Sequence, residues 1–201
     1  MPDRNKDELL LQRAGDGDQA AFMEIYERHR LPVFRFAYRL LGSVEGAEDL
    51  THDCFLSLIR HVSKFDPARA SLRTYLFAAA RNLAMKQFRN AGRESSLDEL
   101  TEEPRLPSRH EPLRLVLDEE LTNQVRHAVM SLPPLQREAL VLFEYEDLSL
   151  SEIADITESD IGAVKGRLFR AREGLKRMLR PYLNANSELN SRREIVTLRE
   201  A

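Results

Sequence analysis

Lys165, Arg167 and Arg170 flank the small residues Gly162, Ala163 and Gly166 near the start of one helical run. Small side chains let a backbone approach closely, and basic side chains beside them reach phosphates or guanine edges. Phe169 falls on the polar side of the same run. Its ring either meets a thymine methyl or sugar, or tucks under the preceding helix. A second set, Asn82, Lys86 and Arg89, recurs at i, i+4 and i+7. An amide can pair with a base edge, and the two cations suit phosphates. In a third set, Asp49, His52, Asp53, Leu56 and Arg60 share a face, with acids around an outward leucine. That face is either a docking patch for a protein or an ordinary solvated surface.

These sets need helices to hold them, and helical periodicity runs through the sequence with no persuasive period-two strand. Phe22, Ile25, Tyr26, His29, Val33, Phe36, Ala37 and Leu40 keep a three-four spacing, with Pro32 as a joint or kink and Gly42 as the stop. A second helix starts near Glu45 to Ala47 and buries Leu50, Cys54, Phe55, Leu58 and Ile59, and Phe65-Asp66-Pro67 ends it in a loop. A third follows Ser71 with Leu72, Leu76, Ala79 and Leu83 inward. Residues 93–115, with Pro104, Pro107 and Pro112, read as a linker. Helices resume near Leu113, and Pro133-Pro134 turns the chain into another.

Ser149-Leu-Ser-Glu152 is a capping box for a short helix. Asp160 can cap a longer one, with Ile161, Val164, Leu168, Ala171, Leu175 and Met178 as its apolar positions. A short helix, a tight turn and a longer helix with its basic side outward match the geometry that lays the second helix in a major groove. The fold class is therefore all-α: two small helical domains, 8–92 and 116–182, joined by a flexible linker and followed by a polar tail, 183–201.

Charge is segregated within a near-neutral total of −3. Residues 60–89 carry seven basic side chains against Asp66, and residues 161–180 carry seven against Glu173. Residues 116–159 hold ten acids against Arg126 and Arg137. Such blocks suggest two contacts with a polyanion and acidic surfaces for a basic protein partner, or solvated helix faces.

Several chemistries are excluded by what the sequence lacks. There is no GxxxxGK[ST] phosphate loop and no GxGxxG, and none of the five histidines forms HExxH. Asp49-x-x-His52-Asp53-Cys54 resembles half of a carboxylate-bundle metal site, but a facing Glu/Asp-x-x-His is missing. No catalytic residue, metal or cofactor is expected, and the chain is not read as an enzyme. One cysteine precludes an intrachain disulfide and points to a reducing compartment. The longest apolar run, Ala139 to Phe143, is far short of the ~18 residues of a membrane span. A cytoplasmic protein with no membrane insertion is expected.

The run Leu132-Pro-Pro-Leu-Gln-Arg-Glu-Ala-Leu-Val-Leu142, then Leu148-Ser-Leu-Ser-Glu-Ile-Ala154, then Ile161 through Arg172, resembles region four of extracytoplasmic-function sigma factors of bacterial RNA polymerase. The family pattern is approximately LPxxxREVLxLxxxEGLSxxEIAxxLGxSxGTVKSRLxRAR. Asp147 replaces the usual glycine, Glu158 sits at a frequent turn glycine, and Gly166 replaces the usual serine. Upstream, Ala47-Glu-Asp-Leu-Thr-His-Asp-Cys-Phe-Leu56 resembles AEDLxQExFL, and Asp66 through Ala84 resembles region two, approximately FRxWLxxIARNLxxDxxR. The resemblance covers about residues 8–182.

By that resemblance the chain would be an alternative sigma factor that binds core RNA polymerase and directs transcription initiation at promoter DNA. Asp49, His52, Asp53 and Leu56 would grip the coiled coil of the largest catalytic subunit. Arg73, Tyr75, Asn82, Lys86 and Arg89 would contact the minus-ten region, Tyr75 standing where the family commonly has Trp. Gly162, Ala163, Lys165, Gly166, Arg167, Phe169 and Arg170 would contact the minus-thirty-five element. An anti-sigma factor is a further partner the family implies. The alternatives are a stand-alone helix-turn-helix regulator that acts without polymerase, and a helical interaction adaptor whose DNA surfaces have decayed.

Overall fold

A computed structural model describes the backbone of residues 2–94 and 112–197 and the side-chain surroundings of residues 6–89 and 121–182. Most of the expected linker, residues 95–111, lies outside the described residues. The regular elements of the described residues are all helices, with no strand: α1 (Pro2–Gly15), α2 (Gln19–Leu41), α3 (Val44–Arg60), α4 (Leu72–Glu94), α5 (Pro112–Met130), α6 (Pro134–Glu144), α7 (Leu150–Thr157) and α8 (Ile161–Thr197). A single 3₁₀ turn, Val62–Lys64, follows α3.

Local chemistry sets the helix ends. The Asp18 carboxylate accepts from the Ala21 N–H at 3.1 Å and starts α2. Gly42 stops it at φ 75°, in the left-handed region, and donates its N–H to the Tyr38 carbonyl at 2.8 Å. Ser43 then caps α3 by accepting from the Gly46 N–H at 3.1 Å. The Ser71 hydroxyl accepts from the Thr74 N–H at 3.1 Å at the start of α4. Pro134 occupies the first turn of α6, where its missing N–H costs no helical bond.

The first module is a bundle of α1 to α4. Ile25, Val33, Phe36, Ala37 and Leu40 of α2 face Leu50, Cys54, Phe55 and Leu58 of α3 and Leu72, Leu76, Phe77, Ala80 and Ala84 of α4. α2 continues through Pro32 as one helix, with buried residues on both sides of it, so Pro32 does not separate two helices. On α4 the inward stripe is rotated: Ala79 and Leu83 are only half-buried, and Phe77 goes fully inside against Phe36, ring centroids 5.2 Å apart.

The second module gathers α5, α6, α7 and the first half of α8 around Val129, Leu132, Leu140, Leu142, Ile153, Ile156, Val164, Leu168 and Ala171. Ile161, expected inward, is 44% exposed at the first turn of α8. The helix runs on past Pro181 to Thr197, through most of the expected polar tail.

The two modules lie directly against each other. α6 and α5 meet α2, and α4 lies on α7. Gly42 sits under the Met130 side chain so closely that a Cβ there would lie 2.5 Å from the methionine methyl. The expected acidic surface of 116–159 is in part consumed by this contact. Glu138 and Glu146 are buried, because each is paired with two arginines.

Candidate nucleic-acid interface

The short helix α7 and the start of α8 form a capped pair. The Ser149 hydroxyl accepts from the Glu152 N–H at 3.2 Å, while the Glu152 carboxylate accepts from the Ser149 N–H at 2.9 Å. α7 ends at Glu158, φ 51°, and the Ser159 N–H turns back to the Ala154 carbonyl at 3.0 Å. Thr157 ties the turn down, donating to the Ile153 carbonyl at 2.7 Å and sharing a hydrogen bond with the Ser159 hydroxyl. Asp160 then caps α8 by accepting from the Ala163 N–H at 2.8 Å. A carboxylate at this end also suits the helix dipole.

Val164, Leu168 and Ala171 fix the rotation of α8 by facing the core. Lys165, Phe169 and Arg170 therefore point outward, with Gly162 exposed and Ala163 and Gly166 half-buried beside them. Phe169 is 67% exposed, so it is not tucked under α7. The Arg170 guanidinium folds back over Gly166, 3.5 Å from where a Cβ would stand. Arg167 differs from its neighbours. It turns to the buried Glu138 carboxylate at 3.4 Å and is near the Ser159 hydroxyl.

On α4, Tyr75, Asn82, Lys86 and Arg89 fall on one side, spaced by seven, four and three residues. Asn82, Lys86 and Arg89 are exposed. Tyr75 is half-buried, edge-on to Phe65 with centroids 5.5 Å apart, and burial pushes its phenol up. Arg73 lies on the opposite side of α4. It reaches the Glu146 carbonyl at 2.8 Å and carboxylate at 3.2 Å across the module boundary.

On α3, Asp49, His52 and Asp53 are exposed and surround Leu56, itself 37% exposed. Thr51, Cys54, Phe55 and Leu58 face inward. Cys54 therefore points away from Asp49, His52 and Asp53, and burial pushes its thiol up to about 12. Among the described residues no group of three His, Cys, Asp or Glu side chains could hold a metal ion, and no helix is long and apolar enough to cross a membrane.

Three buried polar groups escaped the sequence. Asp7 of α1 holds both Arg28 and the buried His29 of α2. Arg137 donates to the carbonyls of Leu40, Met130 and Leu132. Glu138 and Glu146 are pushed up by burial and drawn back by Arg81 with Arg167, and by Arg39 with Arg73, respectively. A charged residue inside a helical run carries no mark of its distant partner, so periodicity alone places it at the surface.

Comparison with known proteins matches residues 25–94 to sigma-70 region 2 and residues 122–175 to sigma-70 region 4. The ECF RNA polymerase sigma factor SigW of Bacillus subtilis is 30% identical over 178 residues, covering 85% of this chain and 95% of that protein. The ECF RNA polymerase sigma-E factor of Escherichia coli K12 is 30% identical over 191 residues, covering 91% and 99%. Among solved structures, the sigma factor RpoE of Bartonella quintana, in complex with the anti-sigma factor NepR, superposes with a TM-score of 0.65 at 26% identity, covering 79% of this chain and 96% of that one. The capped helix pair, the helical module before it and these likenesses agree: the chain belongs to the ECF family of RNA polymerase sigma factors, non-enzymatic proteins that bind core polymerase and promoter DNA and direct transcription initiation.

Proposed function

We propose that three faces of this chain divide the work of promoter recognition. Asp49, His52, Asp53 and Leu56 on α3 dock on core RNA polymerase, acids ringing an apolar centre that a basic partner can cover. Tyr75, Asn82, Lys86 and Arg89 on α4, with Arg73 from its other side, serve the minus-ten region. Gly162, Ala163, Lys165, Gly166, Phe169 and Arg170 on α8, with Arg167, serve the minus-thirty-five element. Residues 8–92 and 116–182 are the two working modules, 93–115 the connection and 183–201 an extension. The protein acts in the cytoplasm. An anti-sigma factor is its regulatory partner, the class of protein that RpoE of Bartonella quintana is bound to.

One observation carries the reading. Phe169 projects from a helix whose start is capped by Asp160 and whose rotation is fixed by three buried residues, with Lys165 and Arg170 beside it. An exposed ring between two cations on a rigid helix fits a groove, where it meets apolar base edges while the cations meet phosphates. Unstacking a base at the minus-ten side costs a few kcal/mol. Strand opening costs more, so the chain opens DNA only together with polymerase.

The test is transcription in vitro with the purified chain, core polymerase and a genomic promoter library. Specific start sites sharing an upstream element are expected. Duplex binding without polymerase-dependent initiation would favour a stand-alone regulator and overturn the division of labour.

A further inference from the structure

Of the seven basic side chains in residues 161–180, four have a place already. Lys165 and Arg170 stand on the outward face of α8, and Arg167 turns to Glu138. Arg172 is held by Glu144 at 2.6 Å, with its guanidinium over the Phe143 ring. Lys176, Arg177 and Arg180 remain. All three are exposed, and none forms an ion pair among the described residues. Helix geometry puts them on the side that carries Phe169. At about 100° per residue, Lys176 stands about 20° and Arg180 about 60° round from Lys165, on either side of Phe169 at about 40°. Arg177 falls about 20° from Arg170. This stretch is not free to roll. Leu175 and Met178 pack on the core from the other side, and a Cβ on Gly174 would lie 3.1 Å from a Leu132 methyl.

Two ordinary reasons for cations on a helix do not apply to this trio. Cations suit the dipole at a helix C-terminus, but that effect is confined to the last turn, and α8 runs on to Thr197. Opposite charges at i+3 or i+4 steady a helix, yet Arg177 with Arg180 and Lys176 with Arg180 are like-charged pairs at those spacings. Glu173 is the one acid within four residues of any of them, so the group keeps a net positive charge. An anion from outside relieves the repulsion.

We propose that Lys176, Arg177 and Arg180 are a second DNA contact of α8, gripping phosphates of the duplex beside the minus-thirty-five element rather than the element itself. The proposal rests on the assignment of α8 to that element made above. Arg180 lies about 16 Å along the helix axis from Phe169. The major groove is about 12 Å wide, so a helix whose first turns enter it has left it by Arg180 and meets the sugar-phosphate backbone. Base edges are out of reach there. The contact therefore adds affinity through released counterions and leaves the choice of promoter sequence to Lys165, Phe169 and Arg170.

The experiment uses the full-length chain with core RNA polymerase, on the strongest promoter recovered from the genomic library. Promoter duplex is ethylated at random phosphates, and the phosphates whose ethylation blocks binding are mapped. The wild type should show interference within the minus-thirty-five element and at about two or three phosphates just outside it. Lys176→Ala, Arg177→Ala and Arg180→Ala combined place good helix formers on an exposed face, and circular dichroism with sedimentation on core polymerase checks that the variant folds and docks. It should lose the outer interference, keep the inner, and lower the magnitude of the salt slope of promoter binding by about 2 to 3. The matching triple change to Gln should do the same, since charge is the cause. Lys165→Ala should instead weaken the inner interference and keep the outer. Outer interference unchanged in the triple variants would overturn the second contact and leave the α8 assignment standing. Loss of core association by folded triple variants would give the three cations to an acidic surface of polymerase and overturn it as well. A wild type with no interference inside the element would overturn the α8 assignment and this contact together.

Discussion

Arg137 of the second module donates to the main-chain carbonyl of Leu40, in the last turn of α2 in the first. The last carbonyls of a helix lack intrahelical partners, and here a side chain almost a hundred residues away supplies one. The same guanidinium holds the carbonyls of Met130 and Leu132 and fixes the turn from α5 into α6. Burial lowers its pKa, but the carbonyl cage suits the cation. Arg137→Met should cost about 3 kcal/mol, because it strands buried carbonyls. Urea unfolding followed by circular dichroism measures it.

Asp147 and Glu158 both sit at positive φ, 52° and 51°. Both are positions where the family pattern favours glycine, so the turns keep their backbone shape and carry the strain of a Cβ. Glu158 is exposed. Glu158→Gly should therefore stabilise the chain by about 1 kcal/mol. In a protein of this size that is a rise of about 2–4 °C in Tm. Differential scanning calorimetry reads it directly.

His29 lies buried with its Nε2 3.0 Å from the Asp7 carboxylate. Burial holds its pKa below the ordinary 6.5; Asp7 opposes this, and Arg28 and Arg73 add to it. The unfolded chain takes up a proton that the folded chain resists. The stability His29 contributes is thus complete above its unfolded pKa and lost as pH falls below it. Buried Glu138 and Glu146, raised by burial, act with the opposite sign, since their protonation on acidification relieves a cost. Comparing wild type with His29→Gln isolates the first effect. The difference between their urea midpoints should shrink as pH is lowered from 7 to about 5.5.

Duplex affinity should depend on salt. If α8 neutralises about three to six phosphates, log affinity falls against log salt with a slope of about −3 to −5. Lys165→Ala or Arg170→Ala should lower the magnitude of that slope by about one and leave polymerase docking unchanged. Phe169→Ala should weaken duplex binding with a stability change within about 0.5 kcal/mol, because the ring lies outside the core. Fluorescence anisotropy across a salt series measures all three.

Helices and their ends were legible because their causes are local. Gly42, Ser149, Glu152 and Asp160 act within four residues, and each stands at the boundary its chemistry implied. The outward directions of Asp49, Lys86 and Phe169 followed from the buried residues between them. What stayed hidden was non-local. Nothing near Glu138 or Glu146 announces Arg81 or Arg73, some sixty to seventy residues away. Counted with the surface acids, they read as part of a face for a basic partner, whereas arginines of the same chain pair with both. The same blindness made Arg167 look like its neighbours Lys165 and Arg170, although Glu138 turns it inward.

The central claim is that α3 presents a polymerase-docking face. Sedimentation of the purified chain with core RNA polymerase at low salt tests it most directly. The wild type should comigrate with the core enzyme, and Asp49→Ala, folded by circular dichroism, should lose most of that association while retaining duplex binding. Comigration of Asp49→Ala equal to wild type, or failure of the wild type to comigrate at all, would contradict the account.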